Sequence, residues 1–206
     1  MTPRPEIPGR AARLKPLILV PVALAALASA SCSSDDSSNA DDSTAPAAAS
    51  TTTCPTSVPA ASTPADWTLK GVSGSVNVVA PTADRAPSIT VTEPFAVDET
   101  VVKTLTPGTG ADVHSDSMVT VCYEGVDGKT GDVFDNAFER GRPAQFSPAE
   151  VVPGFSQALV GQKVGASVAV AMTPADGYGP SGNPDAKIGG TDTLVFALTI
   201  LDSTSY

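Results

Sequence analysis

The sequence predicts an α+β domain in which antiparallel strands pack against a single short helix. Three observations lead there. Met118-Val119-Thr120-Val121-Cys122-Tyr123 alternates cleanly, with Val119, Val121 and Tyr123 on one face and Met118, Thr120 and Cys122 on the other. Two further runs, Ala166–Met172 and Thr193–Leu201, are β-branched and apolar enough to be buried strands. Helical spacing occurs once, where Val152, Phe155, Ala158 and Leu159 fall around Pro153-Gly154 and the run ends near Gly161. One helix among many strands must cover a sheet face to bury its apolar side.

The chain opens with a segment that is an address and not a fold. Arg4, Arg10, Arg13 and Lys15 precede an apolar run from Leu17 to Ala28. A basic start, a short apolar middle and small residues at the end describe an export signal, residues 1–31. The run is too short for a bilayer-spanning helix. Residues 32–66 are Ser, Thr, Ala, Pro and Asp with almost no large apolar side chain. Such a stretch cannot offset its ordering entropy and is expected to be a disordered tether.

Order is expected to begin near Trp67, the only tryptophan. Val76–Val79 and Ser88–Thr92 read as two short strands separated by Pro81 and Pro87, forming an extension over residues 67–100. Val101–Leu105 is a further strand, closed by Thr106-Pro107-Gly108-Thr109-Gly110. After the Met118 strand, Asp127-Gly128 and Thr130-Gly131 signal turns leading into Val133-Phe134-Asp135.

Charge and composition exclude several functions. The 206 residues carry 12 basic and 22 acidic side chains, a formal net charge of −10. Losing residues 1–31 removes four basic residues and Glu6, leaving 8 and 21 and a net of −13. Such a surface repels phosphate backbones, so nucleic acid is not an expected partner. Three cysteines are too scattered for a zinc site, and a lone histidine, His114, leaves no His-rich metal chemistry. His114 lies among acidic residues and is expected at the surface.

Two resemblances complete the reading. Ser29-Ala30-Ser31-Cys32 resembles the lipobox of bacterial lipoproteins, which implies an acyl group on Cys32 and an anchor on the outer face of the cell membrane. Ser29 stands where that family usually has Leu, and the alternative is a secreted protein cut near Ala30. From Val101 to Asp202 the chain resembles the FKBP-type peptidyl-prolyl isomerases, the macrolide-binding immunophilins. The landmarks fall in family order: Pro107-Gly108-Thr109-Gly110, Val121–Gly125, Gly131–Asp135, Val151–Phe155, Leu159–Gly165, Pro174 through Tyr178-Gly179, and Thr193–Phe196.

That resemblance implies a half-open antiparallel sheet wrapped around the helix, with an apolar pocket between them. It implies that Tyr123, Phe134, Asp135, Phe155, Tyr178 and Phe196 are the catalytic residues. Phe155 would be the floor under a proline ring, Tyr123, Phe134 and Phe196 walls, and the Tyr178 hydroxyl and Val152 N–H donors to flanking carbonyls. Asp135 would orient Tyr123 or Arg140. Arg140, Val151, Val152 and Ile188 would complete substrate binding. The chain departs from the family in having Phe155 where Trp is usual, Ala144 in place of an aromatic rim residue, Asn183 in place of His, and a segment from Phe146 to Glu150 about two residues shorter. Outside the resemblance, Phe134, Phe155 and Phe196 read equally as core, Asp135 as a turn cap and Tyr178 as a loop residue.

The expected function is therefore isomerisation of X–Pro bonds in exported proteins. The expected partners are proline-containing segments, macrolide inhibitors and the membrane; no cofactor or metal is expected. The alternatives are a non-catalytic binding module of the same fold and a holdase acting through residues 67–100. With Cys32 acylated, Cys54 and Cys122 remain as an even pair in an oxidising compartment, expected to bridge across the outer face of the sheet. The alternative is two free thiols.

Overall fold

The computed structural model describes residues 53–205. The expected export signal, Cys32 and the first part of the expected tether lie outside the described residues.

Two antiparallel sheets stack, with a helix on the far side of the larger one. The smaller sheet is a meander of β1 (Trp67–Lys70), β2 (Ser73–Val79) and β3 (Ser88–Ala96). The larger has β4 (Val101–Thr106), β5 (Met118–Asp127), β6 (Val133–Asn136), β8 (Ser167–Met172) and β9 (Leu194–Thr204) in the order β4-β8-β9-β5-β6, with β7 (Ala144–Phe146) paired to the other end of β5. The helix α1 spans Pro153–Leu159. Pro153 opens it with a preset φ and no N–H to satisfy. It buries Gly154, Phe155, Ala158 and Leu159.

Strand β8 shows how the sequence separates two cores. Its valines and methionine, Val168, Val170 and Met172, join the helix-side core with Leu194, Phe196, Leu198 and Ile200 of β9. Its alanines, Ala169 and Ala171, join Val195 and Ala197 against Val76, Val78 and Phe95 of the small sheet. Period-two alternation sends each set to its own face. Small side chains on the outer face let the second sheet approach closely. Gly154 plays the same part for the helix, because a Cβ there would stand 2.6 Å from the Met172 Cβ.

Residues 54–66, assigned above to the disordered tether, are packed onto this body. Cys54 is bonded to Cys122, 68 positions further along the chain, with Cα atoms 5.7 Å apart. The Ala86 N–H donates to the Ser57 carbonyl (2.8 Å), the Asp66 N–H to Val78 (2.9 Å), and the Asp66 carboxylate accepts from Ala80 N–H (2.7 Å). The composition argument fails here because a cross-link and a few backbone bonds replace hydrophobic burial. A closed loop of this length is worth about 4–5 kcal/mol in the chain-entropy account. Cys122 pairs with Thr199, while its neighbour Tyr123 pairs with Leu198 of the helix-side core. The disulfide therefore sits on the face away from the rings.

The extension has a third strand, β1, and β5 runs on to Asp127. Trp67 and Leu69 of β1 pair with Val78 and Val76 and add to the outer-face core. Four residues with two polar positions do not announce a strand; the neighbour completes it.

Glu124, buried in β5, accepts from the Asn136 amide at 2.8 Å. Burial raises its pKa above the usual 4.5, against the lowering effect of the Asn136 and Ile89 hydrogen bonds. A folded-state pKa above the unfolded one favours folding at low pH, and that contribution is lost as pH rises through the folded value. Urea unfolding from about pH 4 upward should therefore show stability declining through this window. Glu124→Gln should remove that part of the slope; an unchanged slope would show that another group titrates.

Candidate active site

Five rings converge between α1 and the larger sheet. Tyr123 and Phe196 come from adjacent central strands, Phe134 from β6, Phe146 from β7 and Phe155 from the first turn of α1. Phe155 lies 5.1 Å from Phe196, 5.5 Å from Phe146 and 5.9 Å from Tyr123, ring centre to ring centre. Phe134 meets Phe196 at 5.4 Å and Tyr123 meets Phe146 at 5.6 Å. The interplanar angles of these contacts, 62° to 87°, are edge-to-face. That geometry suits ring quadrupoles and leaves faces free of stacked partners.

Exposure grades from floor to rim. Phe155, Phe196 and Tyr123 are 4%, 5% and 6% exposed. Phe134, Phe146, Val151 and Val152 are half-buried, and Tyr178 is exposed at 37%. Ile188 is buried and belongs to the same core.

Bare backbone at Gly125 makes the convergence possible. It faces Phe196 across β9 and Asp135 across β6. A Cβ there would meet Phe134 Cζ and Phe196 Cε1, each at 2.7 Å.

One edge of the ring cluster is polar. Tyr123 donates its hydroxyl to Asp135 Oδ2. Arg140 donates to Asp135 Oδ1 at 2.5 Å and to the Tyr123 oxygen at 3.4 Å, with its guanidinium carbon 5.9 Å from the Tyr123 ring centre. Burial, then the Asp135 carboxylate, push the Tyr123 phenol up to about 12, so it keeps its proton at neutral pH. The Asp135 partner also raises the Arg140 guanidinium.

The turn-cap role belongs to Asn136 instead of Asp135. Its Oδ1 accepts the Glu139 N–H at 3.0 Å, which leaves Asp135 free to face Tyr123. Val152 precedes Pro153 and is held extended (φ −58°, ψ 144°). Its carbonyl accepts from Phe155 and Ser156, and no backbone carbonyl among the described residues takes its own N–H. Tyr178 opens one of three short 3-10 turns between Pro174 and Ala186. Asn183 caps the last of them and pairs with Ile188, and so shapes the loop where the family often has His.

Phe146 is a ring of this cluster that the sequence does not announce. It ends a three-residue strand, Ala-Gln-Phe, too short to show alternation. Ala144 and Phe146 share one face by the period of two. The ring absent at 144 is thus accompanied by one two residues on.

A model of the FKBP-type peptidyl-prolyl cis-trans isomerase family matches residues 110–201. A probable FK506-binding protein of Corynebacterium glutamicum is 32% identical over 108 residues, 52% of this chain and 90% of that protein. This chain belongs to the FKBP-type isomerase family. An FK506-binding protein of Streptomyces anulatus is 31% identical over 102 residues, covering 48% of this chain and 82% of the relative. The isomerase FkpA of Buchnera aphidicola is 35% identical over 95 residues, but that match spans only 37% of FkpA and 46% of this chain. All five rings lie within the matched residues; the strap formed by residues 54–66 and the small sheet lie outside the family match.

Gly125→Ala tests the ring geometry. A methyl group between Phe134 and Phe196 should cut kcat/KM roughly tenfold through displaced rings. Its cost in stability should be about 1–3 kcal/mol, typical of an overfilled core. Unchanged turnover would show that the two rings do not set the rate.

Proposed function

We propose that this chain accelerates rotation about X–Pro bonds in exported polypeptides, held at the outer face of the membrane by an acyl group on Cys32. The observation that carries the catalytic part is the graded ring cluster with a protonated tyrosine, a carboxylate and an arginine along one edge. The anchor rests on the basic, apolar and small-residue pattern that runs into Cys32. No helix among the described residues is long and apolar enough to cross a membrane. The residues between Cys32 and Cys54 would then be the spacer between membrane and enzyme.

The chemistry asks little of the protein. Twisting an X–Pro amide costs about 18–20 kcal/mol because resonance is lost, and unassisted exchange takes on the order of tens to hundreds of seconds. No bond breaks, so no nucleophile, metal or cofactor has a role to fill. The useful device is a site that binds the twisted amide better than the planar one. The planar amide has a polarised carbonyl that prefers water. The twisted amide is less polar and its nitrogen more pyramidal. A ring-lined recess therefore favours the twisted state.

In this reading Phe155 lies beneath the proline ring, with Tyr123, Phe134 and Phe196 as walls and Val151 and Ile188 at the sides. The free Val152 N–H and the exposed Tyr178 hydroxyl hold the flanking peptide carbonyls in place. Asp135 fixes Tyr123 and Arg140 at the edge where the twisting amide lies. None of these roles moves a proton.

A protease-coupled assay on an X–Pro peptide tests the assignment. Asp135→Ala frees two partners at once and should lower kcat/KM by roughly 10- to 100-fold. Tyr178→Phe removes one neutral hydrogen bond of about 0.5–1.5 kcal/mol and should cost roughly two- to tenfold. Turnover unaffected by both changes would refute the site; no turnover in the parent would refute the activity.

A further inference from the structure

We propose that the strap around Cys54 is a positioning element for the active site, holding the Tyr123–Asp135–Arg140 network from behind at two points. The inference rests on the isomerase reading, and the strap itself lies outside the family match.

Two links leave Cys54. Its sulfur is bonded to Cys122, the chain neighbour of Tyr123. Its backbone N–H donates to the carbonyl of Gly141, the chain neighbour of Arg140, at 3.2 Å. The first link grips β5 on the face opposite the Tyr123 ring. The second grips the turn that carries the guanidinium. That turn is joined to β5 as well: Ala137 N–H donates to the Tyr123 carbonyl (2.8 Å), Arg142 N–H to Ala137 (3.3 Å) and Gly141 N–H to Phe138 (2.9 Å). Strap, strand and turn therefore close a ring of covalent and hydrogen bonds around the polar edge of the site.

The polar edge needs outside support. The side chains of Arg140 and Asp135 are 44% and 39% exposed. An ion pair this open to water is weakly stabilising and does not hold a long side chain in one geometry by itself. Its orientation must come from the backbone beneath it. The strap is a firm point of attachment, since Cys54 is 4% and Cys122 0% exposed. Gly141 has φ +65°, and the Thr56 methyl carbon lies 3.5 Å from where a Cβ would stand, so the strap fits the turn closely.

The test compares the purified protein with a Cys54→Ala, Cys122→Val pair, which fills the apolar site without the link, each with and without Arg140→Met. The unlinked pair should fold cooperatively and lose roughly tenfold in kcat/KM, the size expected of a small misplacement. In the Arg140→Met background the same pair should change kcat/KM by less than about twofold, because the group being positioned is gone. Full activity in the folded unlinked protein, or the same fold-loss in both backgrounds, would overturn the proposal. If the unlinked pair does not fold, Gly141→Ala with the disulfide intact strains the turn at its positive φ, and the same two-background comparison applies.

A second readout does not need turnover. The Tyr123 hydroxyl proton, held against Asp135, should give a slowly exchanging NMR signal in the linked protein and lose it to exchange in the unlinked one. A lost signal in a protein without turnover keeps the brace and removes the isomerase reading. Turnover with signal and rate both unaffected by unlinking removes the brace alone.

Discussion

The structure depends on one constraint: rings from four strands and a helix must meet at their edges between α1 and the sheet. Edge-to-face contacts are each worth about 0.5–1.5 kcal/mol beyond the area they bury. They also fix ring orientation, which close-packed aliphatic side chains would not. Gly125 and Gly154 serve this constraint from opposite sides. One removes a side chain so that Phe134 and Phe196 can touch, and the other lets α1 settle on Met172 and so sets the height of Phe155. The glycines in the two family landmarks thus have steric reasons.

The polar edge solves a different problem. An apolar ring cluster attracts any greasy group, and orientation along a peptide needs directional partners. Tyr123 links the two regions: its ring belongs to the cluster and its hydroxyl to the Asp135–Arg140 pair. Its raised pKa follows from that double membership, since burial and a neighbouring carboxylate both oppose a phenolate. A tyrosine kept protonated remains a donor across the working pH range, which suits a reaction that transfers no proton.

Much of this was legible in the sequence because strand alternation and ordered landmarks carry their own redundancy. Tyr123, Phe134, Phe155 and Phe196 fall within those landmarks, and the structure brings them together. Phe146 and β1 were not legible, since strands of three and four residues take their register from a neighbour and not from their own pattern. The strap was hidden for a second reason. Between Cys54 and Asp66 the composition is that of a spacer, and only the pairing of Cys54 with a strand cysteine distinguishes it from one. Asp135 and Asn136 show the limit at single residues: either could cap the turn on paper, and the register Gly125–Asp135 settles which one faces the rings.

The central claim is that the recess favours a twisted amide by its apolar walls and fixed donors, with no proton in flight. The solvent deuterium isotope effect on kcat/KM for an X–Pro peptide tests it most directly. The account predicts a value close to unity; an effect of about twofold or more would put a proton transfer in the rate-limiting step and contradict it.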